Sequence, residues 1–119
     1  MNSVSINEGN AVSTMDLLKS TLVKETVAGA YDIATITPDF YKQISVSIND
    51  LSSSDFKEAR RIFDKIYGLR LNKIQTKAIF GPLNEEIESR LSPEEIKLYN
   101  SFHESCSNLK QSIFSGELQ

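Results

Sequence analysis

Hydrophobic positions along the chain recur at three- and four-residue spacing, and strand-type alternation is sustained nowhere. The longest such stretch, residues 55–80, holds no proline and one glycine, and most of its positions are good helix formers. At 1.5 Å per residue it predicts a rod roughly 39 Å long. Phe56, Ala59, Phe63, Ile66 and Tyr67 follow helical spacing, Ile62, Ile66 and Leu69 begin a second row, and Leu71, Ile74, Ala78, Ile79 and Phe80 follow. That apolar surface is wider than one small neighbour covers. The remaining face carries Lys57, Arg60, Arg61, Lys65, Arg70, Lys73 and Lys77, against Asp55, Glu58 and Asp64. Two readings stand side by side. One is a central helix packed by an element from each side with a basic stripe between; the other is a long amphipathic core helix whose charged face is solvated.

The other elements follow from the same periodicity and from stop signals. Residues 1–13 are polar and aperiodic and are expected to form a flexible N-terminal tail. A first helix is expected to start near Ser13, with Asp16 in its first turn and Leu17, Leu18 and Leu22 as its stripe. Residues 26–36 have no clean period and read as a connector. Thr37-Pro38-Asp39 predicts a helix start with Thr37 as cap and Pro38 first, and Phe40, Ile44, Ile48 and Leu51 then place helix two over 38–50. Ser52-Ser53-Ser54 breaks it, with Ser54 the expected cap of the long helix. Gly81-Pro82 stops that helix, because proline disfavours helical geometry at the residue before it. Residues 83–91 predict one or two helical turns or a structured loop. Ser92-Pro93-Glu94-Glu95 is a full capping box for a last helix over 93–115, where Tyr99, Phe102, Cys106, Leu109 and Ile113 form a heptad-type seam and Gly116 is the stop. The predicted fold class is all-α, a helical bundle with one long central helix and no β-domain, over residues 14–116, with 117–119 as a C-terminal end.

A length of 119 residues implies one domain with a modest core. No run approaches the ~20 apolar residues of a membrane span, and the start MNSVSINEGNAVST lacks the positive and apolar segments of a signal peptide. The single cysteine, Cys106, excludes an internal disulfide and fits a reducing, intracellular compartment. The net charge of −3 is unevenly placed: residues 1–54 carry −3, 55–80 carry +4 and 81–119 carry −4. A basic central helix between acidic flanks can neutralise itself inside the fold or across an oligomer interface, and the acidic total argues against general nucleic-acid affinity.

Candidate chemistry is sparse. His103 and Cys106 are three apart on one helix, but a zinc site needs about four such ligands and the chain has one of each. A Cys106 nucleophile would need a base and a third orienting group, and none is marked. Glu85, Glu86 and Glu88, followed by Glu94 and Glu95, read as solvated, salt-bridging or capping carboxylates rather than an acid–base pair. The glycines are scattered and make no phosphate loop. No catalytic residue, metal site or cofactor is expected. Arg60, Arg61, Lys73 and Lys77, with Arg70, form either an ion-pair face or a nucleic-acid face; pairing to acidic neighbours is preferred, since a recognition helix is normally shorter and follows a tight helical turn. The alternative function is therefore a small helical nucleic-acid-binding module using the basic face of residues 55–80.

Four segments in order resemble the helical domain of GINS proteins, a replication-factor family of archaea and eukaryotes: Met15-Asp16-Leu17-Leu18; Ile36-Thr37-Pro38-Asp39-Phe40-Tyr41; Glu58-Ala59-Arg60-Arg61-Ile62 with Leu69-Arg70 and Lys73-Ile74; and Leu91-Ser92-Pro93-Glu94-Glu95 with Tyr99. The resemblance, to the archaeal-type arrangement with the helical domain first, covers about residues 15–116. It implies a non-catalytic scaffold subunit in a homo- or hetero-tetramer with other GINS subunits. The assembled complex would support the MCM replicative helicase at the replication fork and meet a RecJ-like partner, with little direct DNA binding and no membrane. It also implies a nucleoid location in an archaeon or a nuclear one in a eukaryote. Two departures accompany it: residues 1–14 precede the usual start, and the family's small β-domain has no counterpart, so either the sequence stops short of it or the subunit is divergent. The surplus apolar surface places the expected subunit interface on Phe63, Ile66, Tyr67, Arg70, Ile74, Tyr99, Phe102 and Leu109.

Overall fold

The computed structural model describes residues 3–116, and side chains from Thr14 onward. Five α-helices follow one another: α1 (Ser3–Ala28), α2 (Phe40–Ser47) running into a 3₁₀ turn (Ile48–Asp50), α3 (Ser53–Phe80), α4 (Glu85–Glu88) and α5 (Pro93–Ser115). The described residues include no strand, and none of the helices is long and apolar enough to cross a membrane. The all-α helical bundle is therefore the observed class, with α3 at its centre but α1 and α5 nearly as long, at 26 and 23 residues against its 28.

Several boundaries move from where the sequence places them. The first helix begins at Ser3, ten residues before the expected cap at Ser13. No proline interrupts residues 3–13, so a helix nucleated by the packed turns downstream propagates back through weak helix formers. The parts of the expected termini at residues 1–2 and 117–119 lie outside the described residues. Gly29, at φ +84°, takes the left-handed turn that ends α1. Thr37 does not cap helix two. The Ile36 N–H donates to the Arg90 carbonyl at 3.2 Å, which keeps the chain extended there, and the Thr37 carbonyl instead accepts the Phe40 N–H at 3.1 Å. Helix two thus starts at Phe40, with Asp39 in the cap position and no side-chain cap. The cap of α3 is Ser52 rather than Ser54: its Oγ accepts the Asp55 N–H at 3.3 Å.

The last start signal forms as expected. Ser92 Oγ accepts the Glu95 N–H at 3.2 Å, and Glu95 Oε1 accepts the Ser92 N–H at 3.1 Å. Ser92 is fully buried, so its loss cannot be made good by water. Ser92→Ala is expected to cost about 1 kcal/mol, read as a lower urea midpoint with unchanged slope; an unchanged midpoint would mean that the box does not hold the helix start.

Two apolar cores lie along α3. The first gathers Leu18 of α1, Ile36, Phe40 and Ile44 of the connector and α2, and Ala59, Ile62 and Ile66 of α3. The second gathers Ile33, Ile74, Ala78, Leu91 and Tyr99. An edge-on row of rings, Phe40–Tyr41 at 5.3 Å and Tyr41–Phe63 at 6.1 Å, flanks the first. Helix α5 runs beside α3 in the same direction, because Arg70 meets Glu95 and Ala78 meets His103, each pair 25 residues apart. On that offset Phe80, the end of α3, stands level with about residue 105, and α5 continues for ten more residues, about 15 Å. The molecule measures 67 × 25 × 20 Å with a radius of gyration of 18.1 Å, well above the ~13 Å of a compact chain near this length.

Candidate functional site

Between the two cores α3 presents Arg70, flanked at four-residue spacing by Ile66 and Ile74. Arg70 is completely buried, and so is Glu25 of α1, while Glu95 of α5 is 5 % exposed and Lys73 7 %. All five guanidinium N–H groups are used. Nε donates to Glu95 Oε2 at 2.8 Å, Nη2 to Glu95 Oε1 at 2.8 Å and to the Arg90 carbonyl at 3.1 Å, and Nη1 to Glu25 Oε1 and the Ala34 carbonyl, both at 2.6 Å. Lys73 Nζ donates to the carbonyl and the Oε2 of Glu25 at 2.8 and 2.7 Å. The Ala34 N–H reaches the same Oε2 at 3.2 Å, and the Tyr41 hydroxyl donates to Glu95 Oε2 at 2.5 Å. Two cations and two anions thus close a neutral cluster that joins α1, the connector, α2, α3, the loop before α5, and α5. No described side-chain polar atom that is buried lacks a partner. Burial works against the Arg70 charge, yet the Glu95 and Glu25 carboxylates outweigh it and hold the guanidinium above its ordinary pKa.

Burial, and then the Glu95 carboxylate beside it, push the Tyr41 phenol above its ordinary range, so it stays a donor. A phenol whose folded pKa is raised stabilises the fold below the unfolded value of about 10 and loses that contribution as pH rises past it. Tyr41→Phe is therefore expected to cost about 1.5 kcal/mol at neutral pH, and the gap from the parent chain should narrow in urea titrations run above pH ~10. A gap that does not change with pH would contradict the bond to Glu95.

This cluster corrects half of the expected interface. Ile66, Arg70, Ile74 and Tyr99 are at most 1 % exposed and face the chain's own interior, so they have no surface to offer a partner. Tyr99 also donates its hydroxyl to the Gly81 carbonyl at 2.9 Å, closing the turn after α3. Phe63 and Phe102 are half-buried against the first and second cores. Tyr67 and Leu109 remain open, 49 % and 56 % exposed. Tyr67 and Leu98 rim a cleft of about 160 Å³ between α3 and α5, with Tyr41, Leu71 and Ile74 among its walls.

The basic face divides as well. Arg70 and Lys73 are spent inside the fold. Arg60 pairs with Asp64 at 3.3 Å and Arg61 with Glu58, both on the surface of the same helix, and Lys77 donates to the Tyr31 carbonyl at 3.0 Å. His103 Nδ1 lies 2.8 Å from the Ala78 carbonyl, where it bridges α5 to α3, and Cys106 is half-buried one turn on. Among the described residues no three of His, Cys, Asp and Glu gather as a metal ion requires.

Sequence reasoning missed Glu25 and the exposed end. Glu25 continues the Leu18–Leu22 stripe of α1, and a carboxylate on an apolar stripe is a signal for a buried partner. At the end where α3 stops, Ile79 is 53 % exposed, Phe80 84 %, Ile113 55 % and Phe114 80 %. Residues 104–115 of α5 are all exposed or half-buried, so that half of the helix has no partner layer. No curated protein and no solved structure matches the chain. The model of the GINS complex protein helical bundle domain matches it over residues 11–114. That match takes in most of α1, all of α3, nearly all of α5, both cores and the ion cluster, and with it the chain belongs to the GINS complex protein helical bundle family.

Proposed function

We propose that the chain is a non-catalytic scaffold subunit that assembles with other GINS subunits in a homo- or hetero-tetramer and, within that complex, supports the MCM replicative helicase at the replication fork and reaches a RecJ-like partner. The observation that carries this reading is the apolar surface left over after the chain has packed itself. Ile79, Phe80, Leu109, Ile113 and Phe114 stay open near the end of α3 and along the last part of α5, and Tyr67 opens on the cleft beside Leu98; apolar surface left exposed in this way marks a protein interface. The family membership supplies the kind of partner. The complex would act in the nucleoid of an archaeon or the nucleus of a eukaryote.

Native mass spectrometry of the chain mixed with a second GINS subunit tests the assembly. A defined tetramer is expected, and it should retain MCM in a pull-down; a chain that forms no complex with itself or any GINS subunit would overturn the reading. The nucleic-acid alternative loses ground because Arg70 and Lys73 are neutralised by Glu25 and Glu95 and the net charge is −3. Little DNA binding is expected even at about 50 mM salt, whereas tight, steeply salt-dependent binding would favour the module instead.

A further inference from the structure

We propose that the groove where α1 and α3 end is a docking site for an acidic peptide segment of another protein, with a carboxylate of that segment on Lys77 and an apolar side chain beside it between Tyr31 and Phe80. The groove has a volume of about 330 Å³ and lies between the turn after α1, the last turn of α3 and the loop leading into α4. Tyr31 and Phe80 both line it, and they are the two most exposed large apolar side chains among the described residues, at 91 % and 84 %. Pro82 and Ile87 continue its apolar wall. A solitary exposed aromatic is ordinary. Two that share one groove with a lysine make apolar walls around a placed polar group, the usual composition of a recognition site.

Charge selects the occupant. No acid lines the groove, although the chain as a whole is at −3. Its two lysines differ. Lys73 is neutralised by Glu25 at 2.7 Å. Lys77 gives one N–H to the Tyr31 carbonyl at 3.0 Å and has no carboxylate at ion-pair distance among the described residues. Asp32, next to Tyr31, is held by Arg90 at 2.5 Å. The negative end of α3 is met by its own chain, since the Lys77 carbonyl accepts the Gly81 N–H and the Ala78 carbonyl meets His103 Nδ1. Asn84 adds a second donor: its Oδ1 accepts the Ile87 N–H at 2.9 Å, which leaves Nδ2 free. Acceptors nearby are taken, the Tyr31 carbonyl by Lys77 and the Gly81 carbonyl by the Tyr99 hydroxyl at 2.9 Å. The spare groups of Lys77 and Asn84 are thus donors, which a carboxylate satisfies and a basic side chain does not. A nucleic-acid strand would need cations along its backbone, and one uncompensated lysine does not supply them. The inference goes beyond the assembly reading above and does not depend on it.

Fluorescence anisotropy of the full chain with a labelled peptide tests the groove. The peptide places two aspartates on each side of a leucine–phenylalanine pair, so that both orders of acid and apolar residue are present. Binding with a Kd on the order of 10–100 µM is expected at about 50 mM salt. Exchanging the aspartates for asparagines, or the apolar pair for serines, should weaken it at least about tenfold. Lys77→Gln and Phe80→Ser should each do the same with an unchanged circular dichroism spectrum, while Lys77→Arg should keep most of the affinity. Lys57→Gln, at an exposed site near the start of α3, should bind like the parent. In ¹⁵N spectra the amides of Lys77, Phe80 and Asn84 should shift as peptide is added. Absence of binding at about 1 mM chain, or binding indifferent to Lys77→Gln or to loss of the aspartates, overturns the proposal. So does tight binding of an oligothymidine of about twelve nucleotides that Phe80→Ser abolishes, which would assign the groove to single-stranded nucleic acid. A chain that binds the peptide but joins no GINS subunit keeps the groove and overturns the assembly reading; a chain that joins a GINS subunit and ignores the peptide does the reverse.

Discussion

Arg70→Ala is expected to destabilise the domain by about 3–5 kcal/mol, the cost of breaking a buried ion pair from one side. Against a total of about 5–15 kcal/mol for a typical domain, that loss brings the chain near unfolding at 37 °C. The size follows from what remains. Glu25 keeps Lys73 and the Ala34 N–H, but Glu95 keeps only Tyr41 and the Ser92 N–H, so one buried carboxylate loses its cation. Arg70→Lys should fall between the two, because an ammonium retains the charge but cannot reach five acceptors in one plane. Arg60→Ala and Arg61→Ala, each removing a surface pair within α3, should change stability by less than about 0.5 kcal/mol. Urea unfolding followed at 222 nm compares all four; equal losses at Arg60 and Arg70 would refute the cluster's role.

Replacing the whole cluster gives the complementary result. Arg70→Met and Lys73→Met with Glu25→Leu and Glu95→Gln should recover most of the loss, since a buried ion network costs desolvation that apolar packing does not. Recovery should stop short of the parent chain, because the Ala34 N–H and the Ala34 carbonyl lose their partners, while the Arg90 carbonyl keeps only the Ile36 N–H. A chain that remains as weak as Arg70→Ala would mean that the cluster's geometry, and not its charge balance, holds the helices.

Where local chemistry decides, the sequence is a sufficient guide. The Ser92 box, the Gly81-Pro82 stop and the Gly116 end each depend on a few adjacent residues, and each forms where those residues stand. Thr37 fails as a cap because a distant carbonyl, that of Arg90, claims the backbone beside it. The basic stripe of α3 looks continuous in one dimension, yet Arg70 and Lys73 turn inward, because Glu25 lies 45 residues from Arg70 and Glu95 25 residues away. Periodicity finds the seam Tyr99–Ile113 but not which of its residues are open. That depends on where α3 ends beside α5: Tyr99 falls below that level and is buried, whereas Leu109 falls above it.

Phe40→Ala is expected to match Arg70→Ala in size by a different route, costing about 3–5 kcal/mol through a cavity in the first core. Phe40 is 1 % exposed and packs with Leu18, Ile36, Ile44 and the first half of α3. Polar side chains that tie six elements together separate this core from the one around Ile74 and Tyr99, which raises the question of whether the two halves unfold together. The hydrogen bonds from Arg70 and Lys73 reach α1, the connector and α5 at once, so loss of the first core releases Glu25 and Glu95 from their fixed positions and removes support from the second. Native-state hydrogen exchange should therefore show the amides of Ile74, Ala78 and Tyr99 losing protection in Phe40→Ala by the same free energy as those of Ile62 and Ile66. If the second core keeps its protection while the first loses it, α3 is a rod bearing two independent folding units, and the ion cluster is a spacer between them.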